Sequence, residues 1–193
     1  MTFHIIRRDF TLYDENEWSD MMGILSGNPQ NEPLHYGEVY GLYMQLSVAK
    51  AALDGYQVYY NHTGDKDLKE FIRGVIKNSI KPSIEEVEKV LLANDVAVPP
   101  TPAERPSVDV EQIPAGARLL DPQVAYAIAR DISNGLTAMS TLIGQCIRED
   151  IALMLTQQSA KSLKDGAALL QIMKEKGWLV PPPLHMETKN QDQ

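Results

Sequence analysis

Between Asp121 and Lys176 apolar residues recur three and four apart, with no proline after Pro122. Ala125, Ile128, Ile132, Gly135, Met139, Leu142 and Cys146 make one seam with a near-heptad rhythm. The pattern predicts an amphipathic helix whose apolar side other helices must cover. As a single rod the stretch would be about twice as long as any other helical pattern here. Bundle helices bury best when matched in length, so a turn is expected at Arg148–Asp150, with Asp150 as the N-cap of a fourth helix. That helix directs Ile151, Leu155, Leu163, Gly166, Leu170 and Met173 inward and stops at Gly177. Lys174 and Lys176 suit its C-terminus, and Trp178 is placed to fold back on the last turn.

Two earlier patterns supply the covering helices. The first starts at Pro33, where a missing N–H costs nothing, and runs to about His62. It carries Val39, Tyr43, Leu46, Ala49, Leu53, Tyr56 and Tyr60 on one face. Gly64 and Asp65 give a stop and a fresh N-cap, so the helix over about 66–94 is an antiparallel neighbour. Its buried side is Leu68, Ile72, Val75, Ile76, Val87, Val90 and Leu91. Pro82 interrupts it at a cost of ~3 kcal/mol, and a kink is expected there rather than a restart, although Ser83 with Glu86 would cap a new helix. Residues 95–120 hold five prolines and no helical period, which predicts a long extended connection. Its Val96, Val98, Val108, Val110 and Ile113 should be partly buried, and Asp121 and Pro122 should follow as N-cap and first helical residue. Ahead of all this, Asp14 with Glu17 and the apolar Trp18, Met21, Met22 and Leu25 predict one small helix in an arm. The expected organisation is an arm over 1–32, a bundle over 33–183 and a disordered tail over 184–193. Two antiparallel hairpins joined by a long Pro-rich crossover give an all-α fold, a ferritin-like four-helix bundle.

Several segments also resemble a known group. The aromatic first helix, the Ala97–Pro100 segment AVPP, the Arg148–Ile151 segment REDI and the Lys176–Pro183 segment KGWLVPPP occur in an order and spacing similar to domain-of-unknown-function family 3231. That family is ferritin-like, common in spore-forming bacilli and related to spore-coat F proteins. The resemblance covers roughly Leu34 to Pro183. It implies a fold, a lineage, a turn at the REDI segment and a sporulation setting, and it brings no established activity.

Charge removes some partners. With 18 basic against 26 acidic residues the net charge is −8, and no Lys/Arg cluster exists beyond Arg7 and Arg8, which excludes nucleic acid as the main partner. No apolar run reaches the ~20 residues of a membrane helix, and the N-terminus has no apolar segment of a signal peptide, so no membrane insertion is expected. The lone Cys146 allows no internal disulfide and fits a reducing compartment. The expected location is cytoplasmic, with spore association implied by the resemblance.

Candidate chemistry is sparse. A di-metal carboxylate centre in such a bundle needs Glu from two helices and Glu-x-x-His from the other two. The four histidines, His4, His35, His62 and His185, fall in the arm, at helix ends or in the tail, where His35 and His62 read as solvated. Glu38, Asp54, Asp131 and Asp165 form no matched set, so no cofactor is expected. Glu38, Glu86 and Glu149 remain as candidates for a degenerate metal site. Cys146 on the apolar seam reads as a small core residue rather than a nucleophile. No Gly-rich phosphate loop, Cys-x-x-Cys or nucleophile elbow is present.

Two features invite a partner. The first helix holds six of the eight tyrosines, with Tyr36, Tyr40 and Tyr43 on one stripe and Tyr56, Tyr59 and Tyr60 at the far end. Core and interface packing accounts for them; a partner surface or a phenol-edged apolar pocket is the sharper reading. Gly37, Gly41, Gly55, Gly74, Gly135, Gly144 and Gly166 lie inside helix patterns at about 1 kcal/mol each, which suggests close helix approach or room for a ligand. Arg148 with Asp150 should tie the last hairpin, with binding as the alternative role. The surplus tyrosines predict a homodimer, with another protein as the other possible partner. The expectation is a metal-free, non-catalytic structural or interaction protein linked to sporulation or stress. The alternatives are a degenerate carboxylate-metal protein and a small apolar-ligand binder.

Overall fold

A computed structural model of the chain describes residues 33–183, and their regular structure is entirely helical. The expected arm and tail, with Trp18, His4 and His185, lie outside the described residues. Helix α1 spans Tyr36–His62. It starts three residues later than Pro33 predicts, because His35 serves as N-cap. The His35 Nδ1 accepts the N–H groups of Gly37 at 2.9 Å and Glu38 at 3.4 Å, and Glu38 returns a carboxylate to the His35 N–H at 3.1 Å. The result is a capping box built with an imidazole.

The second rod is continuous: α2 (Lys66–Val75), a π turn (Ile76–Ile80) and α3 (Lys81–Ala93). Asp65 caps it as expected, accepting from the N–H groups of Asp67 and Leu68, both at 3.0 Å. Pro82 does not break the rod. The Lys81 N–H already reaches five residues back to the Ile76 carbonyl, so the proline follows a widened turn and the helix carries on. Ser83 and Glu86 therefore cap no restart. Both instead hold Gln158 across the bundle, Ser83 Oγ donating to its Oε1 at 2.7 Å and Glu86 Oε2 accepting from its Nε2 at 2.9 Å.

The crossover is extended apart from a 3-10 turn at Val110–Gln112 and a turn over 115–117 closed by the Ala117 N–H on the Pro114 carbonyl, and its five predicted apolar residues are half-buried. Side chains of α1 lace it down. Asn61 donates to the Pro106 carbonyl at 3.0 Å and accepts the Val108 N–H at 3.1 Å. Asp54 grips Arg105 with two bonds of 2.6 and 2.8 Å. Lys50, 3% exposed, bonds the Pro99 carbonyl and pairs with Glu88. His62 is engaged too, its Nδ1 accepting the Leu119 N–H at 3.0 Å, so neither helix-end histidine is the solvated group expected.

Helix α4 spans Asp121–Ile143 and α5 spans Glu149–Glu175. Asp121 is the first helical residue rather than the cap. Its carboxylate reaches away to the N–H groups of Gly64 at 2.9 Å and Asp65 at 3.2 Å, tying the first hairpin turn to the start of α4. The last turn falls where helix length demands, but α4 ends at Gly144 and Arg148, not Asp150, takes the N-cap position of α5. At the far end Gly177, with φ of +70°, reverses the chain so that Trp178 and Leu179 donate to the Met173 carbonyl.

The architecture is the predicted one, two antiparallel hairpins joined by a long crossover. Its core falls into two clusters. One gathers Leu42, Leu46, Leu53, Val87, Leu91, Leu142, Ile151 and Leu155; the other gathers Tyr56, Leu68, Ile72, Val124, Ala125, Ile128, Leu169 and Met173. Ile76 and Ile80 of the π turn touch both. In α5 the predicted inward stripe fails in its middle. Leu163 and Leu170 are 61% and 42% exposed, while Gln158 and Leu169 point in. The buried stripe stays at helical spacing but carries polar residues between the two clusters.

Candidate functional site

At one end of the bundle the chain closes on Glu38. Its side chain is 1% exposed, and Oε1 accepts the N–H groups of Ile147 at 2.8 Å and Arg148 at 2.9 Å. Burial pushes this carboxyl up, but hydrogen bonds from the Arg148, His35 and Ile147 N–H groups outweigh it and hold the group below its ordinary value. The His35 Nε2 meets the Gln145 carbonyl at 3.1 Å, so helix α1 organises the whole α4–α5 turn. Arg148 and Asp150 do come together, in a two-bond pair of 3.0 and 2.6 Å, and Arg148 also approaches Asn94 Oδ1 at 3.4 Å. The pair is mostly buried and joins the ends of α3 and α5. Cys146 sits beside it, half-buried, with its thiol donating to the Leu142 carbonyl. Burial, then the Glu38 and Asp150 charges, push the thiol up to about 11.

Glu38, Glu86 and Glu149 do not converge. Glu38 is committed to backbone N–H groups, Glu149 begins α5, and Glu86 faces Gln158 and Lys161. Nine residues of helix, ~13 Å, separate the Glu149 and Gln158 levels of α5. Among the described residues no group of three or more His, Cys, Asp or Glu side chains is arranged to hold a metal. Tyr36, Tyr40 and Tyr43 do share a surface, at 95%, 69% and 37% exposure on the first turns of α1, and Met44 and Val48 continue it. Tyr56, by contrast, is core, and Tyr59 reaches Asp131 across the bundle.

A site that the sequence reading missed lies between the two core clusters. All four rods line a cavity of about 140 Å³ there, with Tyr56 from α1, Ser79 from the π turn, Asp131 from α4 and Gln158 and Asp165 from α5. Ser79 hydrogen-bonds Asp165, yet burial still holds the Asp165 carboxyl above its ordinary value. The signal in the sequence is polar: Gln158, Ser162 and Asp165 keep helical spacing with Ile151 and Leu155, a pattern that apolar periodicity alone does not register.

Relatives share this chain's frame. An uncharacterised Bacillus subtilis protein, YvdQ, is 46% identical over 166 residues, which cover 86% of this chain and 97% of that one. A solved structure described as a "putative spore coat protein" from Bacillus halodurans is 43% identical, with a TM-score of 0.80, over 83% of this chain and all of that one. A two-domain protein of Anabaena variabilis with DJ-1/ThiJ/PfpI-like and ferritin-like domains matches 93% of this chain and 48% of its own. Its TM-score is 0.57 at 18% identity, a likeness of fold alone. No helix among the described residues is long and apolar enough to cross a membrane. The model of DUF3231, a protein family of unknown function, matches residues 22–190, and the chain belongs to that family.

Proposed function

We propose that this chain is a non-catalytic, metal-free interaction protein associated with the spore, and that it self-associates through the tyrosine face of α1. The observation that carries the reading is the exposed stripe of Tyr36, Tyr40, Tyr43, Met44 and Val48. It presents roughly 500 Å² of largely apolar side chain, at the upper end of what a monomer leaves uncovered. That is more than half of the ~800 Å² each partner gives to a stable interface. Tyrosine suits the purpose because it brings area with few rotors and a hydroxyl that stays wet at the rim. The likeness to the Bacillus halodurans protein supports a spore setting. A non-catalytic role draws support from Glu38, Arg148, Asp150 and Glu86, each of which is occupied in holding helices together.

Light scattering on the full chain tests this. The expected species has twice the 21.5 kDa chain mass, and Tyr36→Ser with Tyr40→Ser and Tyr43→Ser reduces it to one chain without loss of helicity. A 21.5 kDa species at every concentration, or a triple variant that stays dimeric, overturns the proposal. Stoichiometric transition metal in protein purified without chelator would instead favour the carboxylate-metal reading.

A further inference from the structure

Two polar groups in the central cavity keep hydrogen-bonding capacity to spare. Tyr56 is 4% exposed, lines the cavity, and has no hydrogen-bond partner for its hydroxyl among the described residues. Asp165 lines the same space, half-buried, with the Ser79 hydroxyl as partner and in no ion pair among the described residues, although Lys161 stands one turn away on α5 and lines the cavity too. The other charged groups facing the cavity are provided for. Asp131 lies 3.2 Å from Arg130, and Lys161 lies 3.9 Å from Glu86. A phenol hydroxyl and a carboxylate outside any ion pair thus face one space, and both can bond a ligand that enters it.

We propose that this cavity binds a small organic ammonium ion, its N–H groups directed to Asp165 and Tyr56 and its short apolar body against Ala52, Ile132 and Met139. The sign of the charge follows from the one carboxylate outside any ion pair, and the apolar side chains set the rest of the ligand. The volume of about 140 Å³ sets the size, the room of roughly five waters or a molecule of about five heavy atoms. Gly135 lines the cavity, and a Cβ built there meets nothing within 4 Å, so this glycine leaves room for a ligand rather than for a neighbouring helix.

Calorimetry on the full chain at low ionic strength, with n-butylammonium, n-butanol and butyrate as probes of one size and three charges, tests the inference. Saturable binding of n-butylammonium is expected, at least tenfold tighter than n-butanol, with no binding of butyrate. Asp165→Asn, isosteric and still able to accept from Ser79, should weaken n-butylammonium at least tenfold, and Tyr56→Phe severalfold. Gly135→Leu should fill the cavity and abolish binding; if that variant does not fold, Asp165→Asn decides alone. Equal binding of n-butanol and n-butylammonium, no binding of any probe, or an Asp165→Asn variant that binds like the parent overturns the proposal.

Discussion

Replacing Glu38 by Gln changes one atom and separates the roles of this residue cleanly. Oε1 serves two N–H groups of the last turn and Oε2 serves the N-cap N–H of α1. A glutamine can keep its carbonyl on Ile147 and Arg148, but its amide then points N–H groups at the His35 N–H. One hydrogen bond is lost, the charge on the other two is lost, and a donor faces a donor. Charge-assisted bonds are worth about 1.5–3 kcal/mol and neutral ones about 1, so Glu38→Gln should cost about 2 kcal/mol. For a chain of this size that is a fall in Tm of roughly 4–8 °C. Glu38→Ala strands all three N–H groups and should cost about 3–5 kcal/mol. Thermal and urea unfolding followed by far-UV circular dichroism measure both.

The pH dependence gives an independent check. The folded-state carboxyl is held below its ordinary 4.5, so its contribution is fully present above that value and is lost as pH falls through the folded pKa. The gap between parent and Glu38→Gln should therefore be constant near neutrality and narrow below about pH 4.5. A glutamine variant that melts with the parent at pH 7, or a gap that does not change with acidification, refutes the account of Glu38 as a charged acceptor.

Further outcomes follow from other residues. A Cβ on Gly41 would lie 2.3 Å from the Leu142 Cδ1, whereas one on Gly55 meets nothing within 4 Å. Gly55→Ala should stabilise by about 1 kcal/mol and Gly41→Ala should be less stable than Gly55→Ala by about 1–3 kcal/mol, read from urea midpoints. Asn61→Ala removes both backbone bonds to the crossover and should cost about 1–2 kcal/mol and raise proteolysis near Pro106, while Arg105→Ala, an exposed pair with Asp54, should cost under ~1 kcal/mol. With its thiol pushed up to about 11, Cys146 should be about one part in a thousand thiolate at pH 8, against about a quarter for a free cysteine. A disulfide reagent should therefore react with the folded chain on the order of 100-fold more slowly than with the unfolded chain; equal rates would refute the shift.

The rods were legible in the sequence because apolar spacing and helix breakers act locally. Asp65 and Gly177 were read correctly for the same reason. His35 was missed as a cap because Pro33 offered the more familiar signal, two residues earlier. The role of Glu38 in the last turn was not legible, since its partners there lie 109 and 110 residues away and belong to a loop with no pattern of its own. It stood among the metal candidates only because it was a mid-helix carboxylate. The α5 error has a different cause. Hydrophobicity alone directs Leu163 and Leu170 inward, but each stands one residue, about 100°, off the stripe that Ile151, Leu155 and Met173 define.

That polar stripe bears on what the middle of the bundle is for. Apolar packing of the same volume would serve stability as well or better, because buried polar groups at best recover their desolvation. Stability alone thus gives no reason for a core divided into two clusters around hydroxyls, amides and carboxylates. Fixing helix register is one reason, and the Ser83–Gln158–Glu86 chain meets it, since both amide ends of Gln158 are satisfied and α3 cannot slide along α5 without breaking them. Register does not account for Tyr56 or Asp165. The phenol hydroxyl has no hydrogen bond among the described residues, the Ser79 bond leaves the carboxyl still raised, and Gly135 in the same lining lets space persist where a methyl group would have fitted. The polar middle therefore divides in two, one part closed on itself and holding helices in step, the other open and shaped for something small that brings hydrogen bonds of its own.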